Sequence, residues 1–141
     1  MRTKLSLAFA LSACFFIVRI LGAQDLDPNI RKISDGIYVY VGKNFNSNCG
    51  IVITQEGVVL IDSGHNPTDS RAILDAVKKL SPLPIRFLLD TEPHPDHTTG
   101  HFVFSPPATI VAHQGATESM VSREKETPGR IEKLAGTSPE M

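Results

Sequence analysis

What most constrains this chain is an order of periodicities: two short apolar runs, Val58 to Ile61 and Ile85 to Leu89, stand on either side of a segment with helical spacing. In that segment Ile73, Ala76, Val77 and Leu80 recur at helical intervals while Arg71, Asp75, Lys78 and Lys79 face away, as in a helix with one apolar side. Asn66 is suited to cap its start and Pro67 to sit in its first turn. Ser81-Pro82-Leu83-Pro84 stops it. Upstream, Asp35-Gly36 marks a turn, and Ile37, Val39 and Val41 alternate with Tyr38 and Tyr40 as in a half-buried strand. Beyond a loop from Gly42 to Ser47, the β-branched runs Gly50 to Thr54 and Val58 to Ile61 flank Gln55-Glu56-Gly57, a hairpin signal. The chain is expected to open with a meander of about three strands. Ala108 to Ala112 predicts a further strand and Thr117 to Lys125 a short helix. The order β, β, β, α, β, loop, β, α predicts an α/β sandwich or layered domain.

Residues 1–23 read as a secretory signal peptide. Arg2 and Lys4 precede an uncharged apolar run from Leu5 to Val18, which suits a signal sequence and falls short of the about 20 residues that a membrane span needs. Cleavage after Ala23 would leave a domain at 24–126 and a weakly ordered tail at 127–141, exported to a periplasm or secreted. Leu11-Ser12-Ala13-Cys14 offers the alternative of a lipoprotein anchored at Cys14. The mature chain carries eleven basic and fifteen acidic residues, a net charge of −4, which excludes the basic footprint of a nucleic-acid binder. It keeps one cysteine, Cys49, and so no intramolecular disulfide. No membrane span is expected in it.

Chemistry concentrates in Thr91-Glu92-Pro93-His94-Pro95-Asp96-His97, on the loop that leaves the carboxyl end of an apolar strand, where α/β folds place their sites. Each proline disfavours the helical conformation for the residue before it, so Glu92 and His94 are expected to be extended. Alternate side chains of an extended chain project the same way, which would let Glu92, His94 and Asp96 converge. His97 would join them after a turn that Thr98-Thr99-Gly100 permits. Imidazole and carboxylate donors suit zinc, iron or manganese, and the lack of thiolates argues against a structural zinc site. A metal with open positions lowers the pKa of its bound water to about 7 and presents hydroxide to a carbonyl or phosphoryl group.

Glu92-x-His94-x-Asp96-His97 resembles the His-x-His-x-Asp-His signature of the metallo-β-lactamase fold superfamily, with Glu in the first place. Val58 to Gly64, Val-Val-Leu-Ile-Asp-Ser-Gly, resembles the strand of that family that ends in Asp-x-Gly. The resemblance covers about Ile33 to Met120. It implies an αββα sandwich of which this chain holds the N-terminal αβ half, and a metal-dependent hydrolase acting on a small-molecule ester, thioester, lactone or β-lactam. It implies one or two zinc ions, with Glu92 and His94 helping to hold the first and Asp96 and His97 the second. Asp96 would also orient the metal-bound hydroxide as the catalytic residue, and Asp62 would support the metal loop from behind. Glu92 in place of an imidazole would favour harder metals such as manganese or iron. Members of the family complete their sites with a His, a bridging Asp and a last His from a second αβ half, and nothing after His113 supplies these. The chain is therefore expected to be the N-terminal half of such a hydrolase, with a truncated, non-catalytic metal-binding fragment, or one that needs a second chain to complete its site, as the alternative. Of the remaining histidines, His65 is a candidate substrate contact, His101 is expected to cap or to face solvent, and His113 is expected to be structural.

Overall fold

The computed structural model describes residues 26–42, 47–127 and 129. The expected signal segment 1–23, most of the loop from Gly42 to Ser47 and nearly all of the tail 127–141 lie outside the described residues.

Six strands form one sheet in the order β1-β2-β3-β4-β5-β6: β1 (Ile30–Ser34), β2 (Ile37–Tyr40), β3 (Cys49–Ile53), β4 (Val58–Ile61), β5 (Ile85–Asp90) and β6 (Thr109–Ala112). The first four pair antiparallel, so the meander holds one strand more than its apolar alternation predicts. Strand β1 sits at the edge with Arg31, Lys32 and Ser34 exposed, and an exposed edge strand carries no apolar pattern to read. It joins β2 through Asp35-Gly36, where Gly36 takes φ +73°, the left-handed conformation that glycine adopts freely.

Helix α1 (Pro67–Leu80) then crosses over, and β4, β5 and β6 run parallel. Its start follows the sequence: the Asn66 side chain accepts from the Asp69 N–H at 2.9 Å. The Asp69 carboxylate accepts from the Tyr40 hydroxyl at 2.5 Å and from the Asn66 amide at 3.1 Å, which satisfies a buried acid at the helix start. Burial, and then the bond to the Asp69 anion, raise the Tyr40 hydroxyl pKa well above its ordinary value. Short helices α2 (Pro95–Thr98) and α3 (His101–Phe104) follow β5, and α4 (Gln114–Glu126) follows β6.

The helices cover one face. Ile73 and Val77 of α1 and Phe104 of α3 close over Tyr40, Cys49, Ile51, Val58, Leu60 and Leu88. Removing each of the larger of these side chains from water contributes about 1.5–3 kcal/mol. The other face carries two cross-sheet rows, Ile37, Val52, Val59, Phe87 and Thr109, then Val39, Gly50, Ile61, Leu89 and Val111. Among the described residues no helix covers these mostly apolar rows, and Ile37 is 42%, Phe87 39% and Val111 44% exposed. The chain thus forms one sheet layer and one helix layer, the content of an αβ half of a four-layer sandwich. Among the described residues no helix is long and apolar enough to cross a membrane.

Candidate metal centre

The crossover through α1 sets the carboxyl ends of β4 and β5 side by side, with Asp62 N donating to Leu89 O at 2.8 Å. Asp62 has φ +63°, the one described non-glycine residue with positive φ. Aspartate tolerates this conformation better than most residues, and such strain collects where a side chain must be aimed. Here the aim is the 91–97 loop. Asp62 Oδ1 accepts from Thr91 N at 2.9 Å, and Oδ2 accepts from Thr91 Oγ1 at 2.8 Å and from His97 Nδ1 at 2.9 Å.

With Nδ1 occupied, His97 directs Nε2 at two carboxylates, Glu92 Oε1 at 3.1 Å and Asp96 Oδ2 at 3.4 Å. Glu92 Oε2 meets His94 Nδ1. The structure therefore brings all four side chains of the motif together, chained His94–Glu92–His97–Asp96, with Asp62 behind His97. Partial burial pulls the His97 pKa down, but the bond and charge of Asp62, helped by Asp96 and Glu92, outweigh it and hold the ring above the ordinary 6.5.

The route to this cluster differs from the extended chain that the prolines suggest. His94 is extended, with φ −73° and ψ 152°, but Pro95 then opens α2, so Asp96 and His97 lie in a helical turn. Proline is pre-set for the first position of a helix, which brings the turn forward from Thr98 to Pro95. Further contacts hold that turn. Ser63 N and Oγ donate to His97 O at 2.8 and 2.7 Å, and Ser63 Oγ accepts from Gly100 N at 3.0 Å. A Cβ at Gly100 would lie 2.2 Å from Ser63 O and 2.3 Å from Ser70 Oγ, so this approach admits only glycine. Ser47 Oγ donates to Asp96 O, and Arg123 Nη1 of α4 donates to Pro93 O at 3.2 Å. None of these supports has a local sequence signal.

Outside the loop, His113 accepts from Gly115 N at 3.1 Å and caps α4, the structural part expected of it. His101 neither caps nor faces solvent: its Nε2 bonds Asp90 Oδ1 at 2.8 Å. His65 lies partly buried on the loop that carries Asp62. Cys49 is fully buried, and that burial pushes its thiol pKa up, in keeping with a small strand residue. An apolar cleft of about 390 Å³, lined by Leu74, Val77, Leu83, Ile85 and Phe104, reaches the start of β5 and not the loop at its end.

Among the described residues no three His, Cys, Asp or Glu stand as a ready metal cage, because these donors are closed on one another. In chemistry, though not in spacing, two imidazoles and two carboxylates are donors that suit a cation such as zinc. A carboxylate on the far imidazole nitrogen is the usual way that a ligating histidine is aimed.

Residues 42–133 match the model of the metallo-β-lactamase superfamily, and the chain belongs to that superfamily. It is similar to a metallo-β-lactamase from Pontibacter korlensis at 24% identity and TM-score 0.61, over 67% of this chain and 47% of that one. It is also similar, at 31% identity and TM-score 0.55, to a B3 metallo-β-lactamase described as the first with an active-site glutamic acid, over 66% of this chain and 35% of that one. A third likeness, at 24% identity and TM-score 0.55, is to the inverting sec-alkylsulfatase Pisa1 from Pseudomonas sp., over 68% of this chain and 16% of that one. The chain thus spans less than half the length of these proteins. The six-stranded sheet with its helices is of the metallo-β-lactamase type.

Proposed function

We propose that this chain is the metal-holding part of an exported hydrolase that directs water at the carbonyl of an ester, thioester, lactone or β-lactam. The observation that carries the reading is His97, tied by Nδ1 to buried Asp62 and facing Glu92 and Asp96 with Nε2. Glu92 and His94 would hold one zinc ion, Asp96 and His97 would help hold a second, and manganese or iron are the alternatives. The similarity to a B3 enzyme with an active-site glutamic acid supports a place for Glu92 in the site. When bound, the metal supplies a nucleophile from water near neutral pH and polarises the carbonyl. Asp96, partly exposed beside His97, accepts a hydrogen bond from the attacking water and sets its direction, and His65 contacts the substrate. Residues 1–23 direct export, with attachment through Cys14 as the alternative. The test is hydrolysis of one substrate of each class by the zinc-loaded full chain and by Asp96→Ala. Turnover that Asp96→Ala abolishes supports the reading, and turnover that survives the change refutes it.

The apolar sheet face that stays uncovered among the described residues favours a second reading, in which the chain holds metal without turnover until another chain completes its site. Metal retention without hydrolysis of any of the four substrates would favour that reading over the first.

A further inference from the structure

We infer that His101 and Asp90 form a latch that fixes the exit of the metal loop relative to its entry, which makes His101 a positioning residue for metal capture. Asp90 is the last residue of β5, and its side chain is fully buried. Its Oδ1 bonds His101 Nε2 at 2.8 Å, while Oδ2 is buried without a hydrogen-bond partner among the described residues. A buried carboxylate has to be compensated, and here one imidazole at the first position of α3 does so. Between these two residues lie all four motif side chains, Glu92, His94, Asp96 and His97.

The loop is pinned from two directions. On the β4 side, Asp62 grips Thr91 and His97, and Ser63 grips the His97 carbonyl and the Gly100 N–H. On the β5 side, Asp90 holds His101, the residue after Gly100. Asp62 bonds a motif side chain directly; Asp90 bonds none of the four and works on the loop end. With Gly100 lodged against Ser63 and His101 tied to Asp90, the turn from Pro95 to Gly100 is ordered before a cation arrives, so binding has less chain to immobilise. The same bond occupies His101 Nε2, which speaks against His101 as an extra ligand through that nitrogen. The proposal rests on the metal-loop reading for its purpose, but the latch itself has a metal-free signature.

The experiment compares the full chain with His101→Ala, His101→Gln, Asp90→Asn and the double variant Asp90→Asn/His101→Ala. Hydrogen exchange of the 91–100 amides is followed in the metal-stripped proteins, with α1 amides as the internal standard. Zinc affinity is measured by chelator competition. The latch predicts that His101→Ala speeds exchange of the loop amides about tenfold over those of α1 and weakens zinc by about 10–100-fold. His101→Gln, which keeps a donor, recovers most of both losses, and His101→Ala adds little in the Asp90→Asn background. Should His101→Ala fail to fold, Asp90→Asn alone must still loosen the loop selectively. Loop exchange that is unchanged, or that rises equally in α1, overturns the latch. A wild-type chain that takes up no zinc while its loop loosens in the variants removes the metal reading and leaves the latch standing.

Discussion

Replacing Asp62 tests the idea that one buried carboxylate organises the candidate metal centre. Asp62→Ala deprives Thr91 N, Thr91 Oγ1 and His97 Nδ1 of their acceptor. A hydrogen bond to a charged group contributes about 1.5–3 kcal/mol. Thr91 is exposed and its hydroxyl can turn to water, so the backbone N–H and His97 carry most of the loss, about 3–6 kcal/mol. Alanine at φ +63° adds about 1 kcal/mol of backbone strain, for a total of about 4–7 kcal/mol. Asp62→Gly relieves the strain and loses the same bonds, so it should lie about 1 kcal/mol above alanine. Asp62→Asn keeps one acceptor oxygen and the tolerance for positive φ, and should cost about 1–2 kcal/mol. Urea denaturation of the metal-stripped proteins, followed by circular dichroism, gives all three differences. The loss is large against the about 5–15 kcal/mol that a domain possesses, and asparagine keeps the series measurable if alanine does not fold. A loss below about 1 kcal/mol for Asp62→Ala would refute the reasoning, because it would leave the three bonds without consequence.

Two other outcomes are expected. Gly100→Ala drives a methyl group into the Ser63 carbonyl, which is backbone and cannot swing away, so it should lose about 3 kcal/mol in thermal unfolding; a melting temperature equal to wild type would count against the packing described. The pKa of His97 is raised in the folded state, so its contribution is fully present below the ordinary 6.5 and is lost as pH rises through the raised value. The metal-stripped chain should therefore lose stability as pH rises above the ordinary 6.5 and through the raised pKa, with a slope that His97→Gln reduces, and an identical slope in the two proteins would contradict the pairing with Asp62, Asp96 and Glu92.

The parts of the fold legible in the sequence are those specified locally. Asn66, Pro67 and the spacing of Ile73, Ala76, Val77 and Leu80 state a helix within one segment, and the helix forms there. The four motif residues likewise lie within six positions of one another, and the structure brings their side chains together. Strand β1 stayed hidden because its exposed Arg31 and Lys32 carry no apolar alternation; it is defined by its pairing with β2. Helices α2 and α3 are four residues each, too short for a period to register. The supports of the metal loop were illegible for another reason, namely that they join residues distant in sequence. Ser47 reaches Asp96 across 49 positions, Ser63 reaches Gly100 across 37, and Arg123 reaches Pro93 across 30. Nothing in a serine or an arginine marks such a partner until the crossover through α1 has set β4 beside β5. Both faces of β4 and β5 are apolar in sequence, which already implies cover on both sides, and the bare face is where that implication stays unmet among the described residues.

The central claim is that Glu92, His94, Asp96 and His97 hold a metal ion, and titration of zinc into the metal-stripped full chain tests it most directly. One or two ions should bind per chain, with affinity falling tenfold or more in Asp96→Ala and in His97→Ala and rising with pH as His97 gives up its proton. Absence of uptake, or uptake that all four single replacements leave unchanged, would contradict it.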